Sequence, residues 1–236
     1  MTRTFDDARR WTRLGTDLFL EAADAALTGP GEPSALPGWS RGHVVAHVAA
    51  NADALGHLVH WAATGEPTPM YSSPGERAAG IERGARLPAV ELTAWLRRSA
   101  DALATAMDAL DDRQWRREVV TAQGRTVPAT ELPWLRSREV CVHAIDLATG
   151  PTFADLPPDF LTALCEDVVL KRATAATTGP ALLLRTPDGH RWDLPGEGEP
   201  VEVAAELPDL TAFLTGRSDG PLTTDGVVAP ALGPWL

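Results

Sequence analysis

Lysine is almost missing from this chain of 236 residues. Lys171 is the only one, and arginine supplies the rest of the 21 basic side chains, which stand against 32 acidic ones. The resulting net charge of −11 counts against nucleic acid and anionic membrane as partners, since both require clustered positive charge. The lysine shortage beside abundant Ala, Gly, Pro and Arg points to a high-GC genome and says nothing about chemistry. Cysteine is also scarce. Cys141 and Cys165 are too few for a disulfide framework or a cysteine-rich metal site. No run of 18 apolar residues exists to span a membrane, and the opening "MTRTFDDARRW" carries no apolar signal region. A soluble cytoplasmic protein is therefore expected.

What is present suffices for a real core, with 44% hydrophobic residues in a length that fits one large domain or two small ones. The first 150 residues read as mostly helical. Apolar positions at helical spacing run through residues 4–27, with Asp6 or Asp7 as the cap and Gly29-Pro30-Gly31 as the stop. Ser40 caps a second helix that ends at Gly65. A polar loop follows, turning into a short helix near 76–85. The third long helix starts at Pro88 and runs to Asp111. Residues 116–129 form a small hairpin about Gln123-Gly124, and a fourth long helix runs from about Thr130 to Thr149. Four amphipathic helices with one long crossover make an antiparallel four-helix bundle. Beyond Gly150 the texture changes to a helix over 157–176, a hairpin about Asp188-Gly189, a strand over 200–206 and a short helix over 207–217. The expected fold class is α+β, with a helical bundle in 1–150 and a smaller α/β domain in 151–236.

One stretch of the fourth helix, "WLRSREVCVHAID" (134–146), is built for a core on most sides. Yet Arg136, Glu139, His143 and Asp146 recur every three or four residues and so share one helical stripe. The second helix carries His43, His47 and Asn51 on one stripe, with His57 and His60 further along. Four-helix bundles build metal sites from side chains on facing helices. One imidazole of the second helix with Glu139 and His143 would make a His₂Glu set, the donor pattern of a catalytic zinc with one open position. The plainer alternatives are a solvated couple or a hydrogen-bonded core pair. Asp146 suits holding His143 or an arginine; Arg136 pairs with Glu139 or lies outside the bundle. Cys141 points about 200° away from Glu139 and reads as a packed, inert thiol. Arg217, after a short helix and a glycine, is either a surface residue or a clamp for a carboxylate that a −11 protein would otherwise repel.

"LPGWSRGHVVAHVAANADAL" and "LPWLRSREVCVHAIDL" resemble the two signature segments of the mycothiol-dependent maleylpyruvate isomerase family, a branch of the DinB-like metalloenzyme superfamily. The resemblance extends over the whole chain and implies a DinB-like helical bundle followed by a smaller α/β domain. It implies zinc on His47, Glu139 and His143, with His43 spare, and it places Arg217 where the family has its substrate-binding catalytic arginine. The implied reaction turns maleylpyruvate into fumarylpyruvate with mycothiol as the thiol. The partners implied are a small carboxylate substrate and a low-molecular-weight thiol. A mycothiol S-transferase acting on another electrophile would share these ligands. A non-catalytic zinc bundle would need a fourth protein ligand such as His43, and a hydrolase would need Asp146 or Asp53 as base. The segments 66–87 and 118–130 are expected to shape the cleft.

Overall fold

The computed structural model describes residues 3–174, 179–218, 220–221, 223–224 and 226–232. The chain separates into two compact units, Thr4–Pro151 and Thr152–Leu236 together with Met1–Arg3. Among the described residues no helix is long and apolar enough to cross a membrane.

The first unit holds four long helices, α1 (Phe5–Ala26), α2 (Arg41–Thr64), α4 (Ala89–Asp108) and α6 (Leu132–Asp146), with the shorter α3 (Pro74–Ala85) and α5 (Asp112–Trp115) between them. Their limits follow from local chemistry. The α1 cap is Thr4, not Asp6 or Asp7; Asp7 is its partner three residues on, and the two side chains satisfy each other's backbone donors. Ser40 caps α2 as expected, and Gly65 ends it in the left-handed region at φ 84°. The third long helix stops at Asp108 because Asp111 caps the separate turn α5. Pro133 sits in the first turn of α6, so Ala129–Glu131 form a 3-10 turn ahead of it. The helix stops three residues before the expected Thr149. The hairpin appears as β1 (Glu118–Val120) paired antiparallel with β2 (Thr126–Pro128).

α2 is the central helix, packed against α3, α4 and α6. It is buried nearly all round: Val44, Val45, Leu55 and Leu58 have no exposed surface. Side chains of that size contribute about 1.5–3 kcal/mol each on burial. At one end the core continues through Leu103, Met107, Trp115, Val119 and Leu132. Two glycines allow close helix approaches. A Cβ on Gly84 of α3 would lie 2.6 Å from Trp95 Cζ3 and 2.8 Å from Ala46 Cβ. One on Gly15 of α1 would lie 2.7 Å from Val140 Cγ2 of α6, and closer still to Cys141 Sγ.

The second unit contains α7 (Pro158–Thr174), α8 (Leu207–Leu214) and a three-stranded sheet of order β4-β3-β5. β3 (Pro180–Arg185) and β4 (Arg191–Leu194) are the expected antiparallel hairpin, turning at Gly189 with φ 100°. β5 (Glu197–Ala204) joins β3 in parallel. The helix expected over 157–176 is described to Thr174; its last two residues lie outside the described residues.

Gly15→Ala gains about 0.5–1 kcal/mol of helix propensity. It also forces α1 off α6, and overpacking costs about 1–3 kcal/mol. The second effect wins, so urea unfolding should show a lower midpoint at unchanged slope. A raised midpoint would show that α6 yields without cost.

Candidate metal centre

α2 and α6 bring three of the expected side chains to one point. Nε2 of His47 lies 2.9 Å from Oε2 of Glu139, and Nε2 of His143 lies 3.4 Å from the same oxygen. The two imidazoles meet edge to face at 4.7 Å between centroids. One potential ligand atom from each residue falls within 4.8 Å of the others. Among the described residues, no other group of three or more His, Cys, Asp and Glu side chains is so arranged. Two nitrogens and a carboxylate oxygen converging this way could hold one divalent ion.

The surroundings fix each ring. Nδ1 of His143 is 2.8 Å from Oδ2 of the fully buried Asp146. Trp39, from the Gly-Trp-Ser lead-in, packs edge-on against His47 at 5.6 Å. Burial pushes the His47 pKa down, against the pull of its Glu139 hydrogen bond. Burial alone would raise the Glu139 carboxyl, but hydrogen bonds to His143 and His47 outweigh it and hold the group well below the usual carboxylate range. Burial would likewise lower His143, yet Asp146 and Glu139 raise it to about 9.

A family model for the mycothiol maleylpyruvate isomerase N-terminal domain matches residues 6–148. The chain belongs to the mycothiol maleylpyruvate isomerase family. A crystal structure of the mycothiol-dependent maleylpyruvate isomerase is 36% identical with a TM-score of 0.93, over 98% of this chain and 99% of that one. A structure of that isomerase carrying one histidine-to-alanine replacement matches over the same shares with a TM-score of 0.92. A comparison with curated proteins returns no match.

The α+β architecture expected from the sequence is thus the one this isomerase family has, a helical domain followed by a smaller one. Of the remaining polar residues on the two stripes, His43 faces the helix start through Nδ1 and Glu82 through Nε2, at 3.5 Å. Its Nδ1 is 2.7 Å from the Ser40 hydroxyl and accepts from the Ser40 backbone N–H at 3.2 Å. His57 and His60 are exposed, and Nδ1 of His57 faces the carbonyls of Pro69 and Met70. Arg217 lies in the second unit, half-buried after α8, where its guanidinium donates to the Thr215 carbonyl at 2.6 Å.

Arg136 was expected to pair with Glu139 or to lie outside the bundle, and it does neither. It is buried, and its Nη1 donates to the Val48 carbonyl at 2.8 Å and to Oδ1 of Asn51 at 2.9 Å. It therefore clasps α6 to α2 one turn from Glu139 and one residue from His47. Burial lowers the guanidinium to about 10 against the attraction of Glu139 and Asp53. A groove of about 550 Å³ opens between α2, α3 and α4, lined by Asp53, His57, Tyr71, Arg77, Arg83 and Trp95 among others. The segment 66–87 contributes to it, whereas residues 118–130 are not among its lining. Arg77 and Tyr71 were not singled out from the sequence. No spacing links them to His47, because α3 returns across α2 only in the fold.

Neither cysteine is placed to act. Cys141 and Cys165 are buried; burial pushes Cys165 up to about 12 and Cys141 higher than a normal thiol. Native protein at pH 8 should give no fast reaction with a thiol reagent, and two thiols per chain after denaturation. A fast-labelling native thiol would reopen the question of a protein nucleophile.

Proposed function

We propose that this chain is a zinc-dependent isomerase that uses mycothiol to convert maleylpyruvate to fumarylpyruvate. The convergence of His47, Glu139 and His143 carries this reading, in a chain similar over nearly its full length to a mycothiol-dependent maleylpyruvate isomerase. The donor set fits the metal: two imidazoles and a carboxylate are ligands zinc takes in catalytic sites, where three protein ligands leave a place for a further group. A buried carboxylate on the far nitrogen of a ligating histidine is the usual support for such a ring, and Asp146 supplies it.

In this reading His47 and His143 bind through Nε2 and Glu139 through a carboxylate oxygen. Asp146 keeps the His143 hydrogen on Nδ1, which leaves the Nε2 lone pair facing inward. Arg136 fixes the separation of the two ligand-bearing helices. Metal and mycothiol together supply, when bound, a sulfur nucleophile at neutral pH that can add to an alkene, permit rotation and leave again. The protein contributes no covalent nucleophile of its own, in keeping with its sealed cysteines. Arg217 is the residue we assign to a substrate carboxylate, offsetting the repulsion of a −11 chain and stabilising enolate charge as it develops. We place the activity in the cytoplasm, where small thiols stay reduced.

A structural zinc would call for a fourth ligand, and among the described residues the converging group holds only His47, Glu139 and His143, while Nε2 of His43 faces Glu82 at 3.5 Å. The bases a hydrolase would need are engaged as well: Asp146 with His143, and Asp53 with the Trp95 indole N–H at 2.7 Å. An S-transferase shares the first step and differs in whether the adduct collapses.

Purified protein should carry about one zinc per chain. His47→Ala, Glu139→Ala and His143→Ala should each lose most of it with helix content retained. Arg217→Ala should keep the metal while KM for a dicarboxylate rises about 10- to 100-fold, the scale of one charged hydrogen bond. Full zinc in all three ligand variants would remove the site; unchanged kinetics in the arginine variant would remove the clamp. The reaction itself is decided by incubation with mycothiol and maleylpyruvate. Free trans acid at catalytic thiol is the expected result, and a stable thioether formed at the expense of thiol would make the enzyme a transferase.

A further inference from the structure

The groove between α2, α3 and α4 starts one helical turn from His47. Its α2 lining is Ala50, Asp53, Ala54 and His57. Ala50, Ala54 and His57 follow His47 at steps of three and four, so they continue the stripe that carries it. Ala50 stands about 5 Å further along the helix axis. From the facing wall Arg77 reaches back, its Nη2 3.4 Å from Nδ1 of His47.

The lining defines what the groove can take. Among the described residues its charged side chains are Asp53, Glu76, Arg77 and Arg83, two of each sign. That balance gives neither a dianion nor a cation a net attraction. It does offer hydrogen-bond donors and acceptors together. Trp95 adds an aromatic surface that is fixed in place. Its indole N–H donates to Oδ2 of Asp53 at 2.7 Å, and its six-membered edge lies against Gly84. The other Asp53 oxygen can accept from a hydroxyl. A pinned indole beside a carboxylate suits a ring that is apolar on its faces and hydroxylated at its rim, which is a sugar or a cyclitol. At about 550 Å³ the groove has the size of a small-molecule site.

The thiol of the reaction proposed above has the matching form. Mycothiol is an N-acetylated cysteine joined through its carbonyl to glucosaminyl-inositol, and it carries no free carboxylate or ammonium. Its cysteine spans on the order of 5 Å from sulfur to the sugar nitrogen. One turn of α2 covers the same distance.

We propose that this groove seats the uncharged, hydroxyl-rich rings of the thiol co-substrate, with Asp53 and Trp95 recognising them. This rests on the use of mycothiol in the reading above, and not on whether the adduct then collapses. The groove selects a glycosylated thiol over a bare one.

Two variants test it. Gly80→Leu fills the groove from α3, where an added Cβ would meet Arg83 Nη2 at 3.9 Å, an ordinary contact. Asp53→Asn keeps an acceptor for the Trp95 N–H and removes the charge. The first readout is calorimetry with N-acetylglucosaminyl-inositol, which has no sulfur to place on a metal. Wild type should bind it, Asp53→Asn should bind it about 10- to 100-fold more weakly, and Gly80→Leu should not bind it. The second is the ratio of kcat/KM with mycothiol to that with N-acetylcysteine, which should fall in both variants. No glycoside binding by wild type overturns the proposal, as does undiminished binding or an undiminished ratio in either variant. Displacement of the glycoside by maleate also overturns it, since the groove would then be the acid's site. Glycoside binding that depends on both positions, in a protein without thiol-dependent turnover, would keep the groove and sink the reading of the reaction, so the two failures are separable.

Discussion

Everything about the first unit turns on one carboxylate, Glu139, set between two imidazoles from different helices. A charged group this enclosed survives only where the hydrogen bonds made to it exceed the cost of removing it from water. Here they do: His47 and His143 both address the same oxygen, and the acid stays ionised despite its burial. The mixed character of α6 follows from this. Its apolar side chains hold it in the bundle, while its polar stripe places Arg136 against α2, Glu139 and His143 at the centre, and Asp146 behind His143.

The scaffold around the carboxylate is organised to keep two helices at a set distance. Ser40 and His43 start α2, Arg136 ties α6 to the Val48 carbonyl and Asn51, and Gly15 lets α1 lie close against α6 from the other side. The apolar burial along α2 supplies most of the stability, at about 1.5–3 kcal/mol per large side chain. The polar links are worth less, about 1–3 kcal/mol for a charged hydrogen bond. Their contribution is register, since an apolar helix contact tolerates sliding that a fixed guanidinium–carbonyl contact does not.

Features governed by neighbours in the chain were legible from the sequence. Ser40, Gly65, the Asp188-Gly189 turn and the α6 stripe all act within a few residues, and each marks its element correctly. The residues of the central cluster needed more than spacing. Periodicity grouped Glu139 with His143 and His43 with His47, and only the family resemblance preferred His47; in the coordinates His47, and not His43, falls in the cluster with Glu139 and His143. Where two local signals compete, the ends shifted. Pro133 delayed α6 and Asp111 cut α4 short. The contacts of Arg136 and Arg77 were invisible because their partners lie 85 to 88 and 30 residues away, joined only by tertiary packing.

Gly84 illustrates how little material can set the dimensions of a groove. It belongs to the wall, and it faces Trp95 and Ala46 with only a hydrogen to spare. Any larger residue must shift the indole or lift α3, and either movement alters the width of the groove beside Tyr71 and Arg77. A single codon thus sets the width of that groove, whose lining does not include His47, Glu139 or His143.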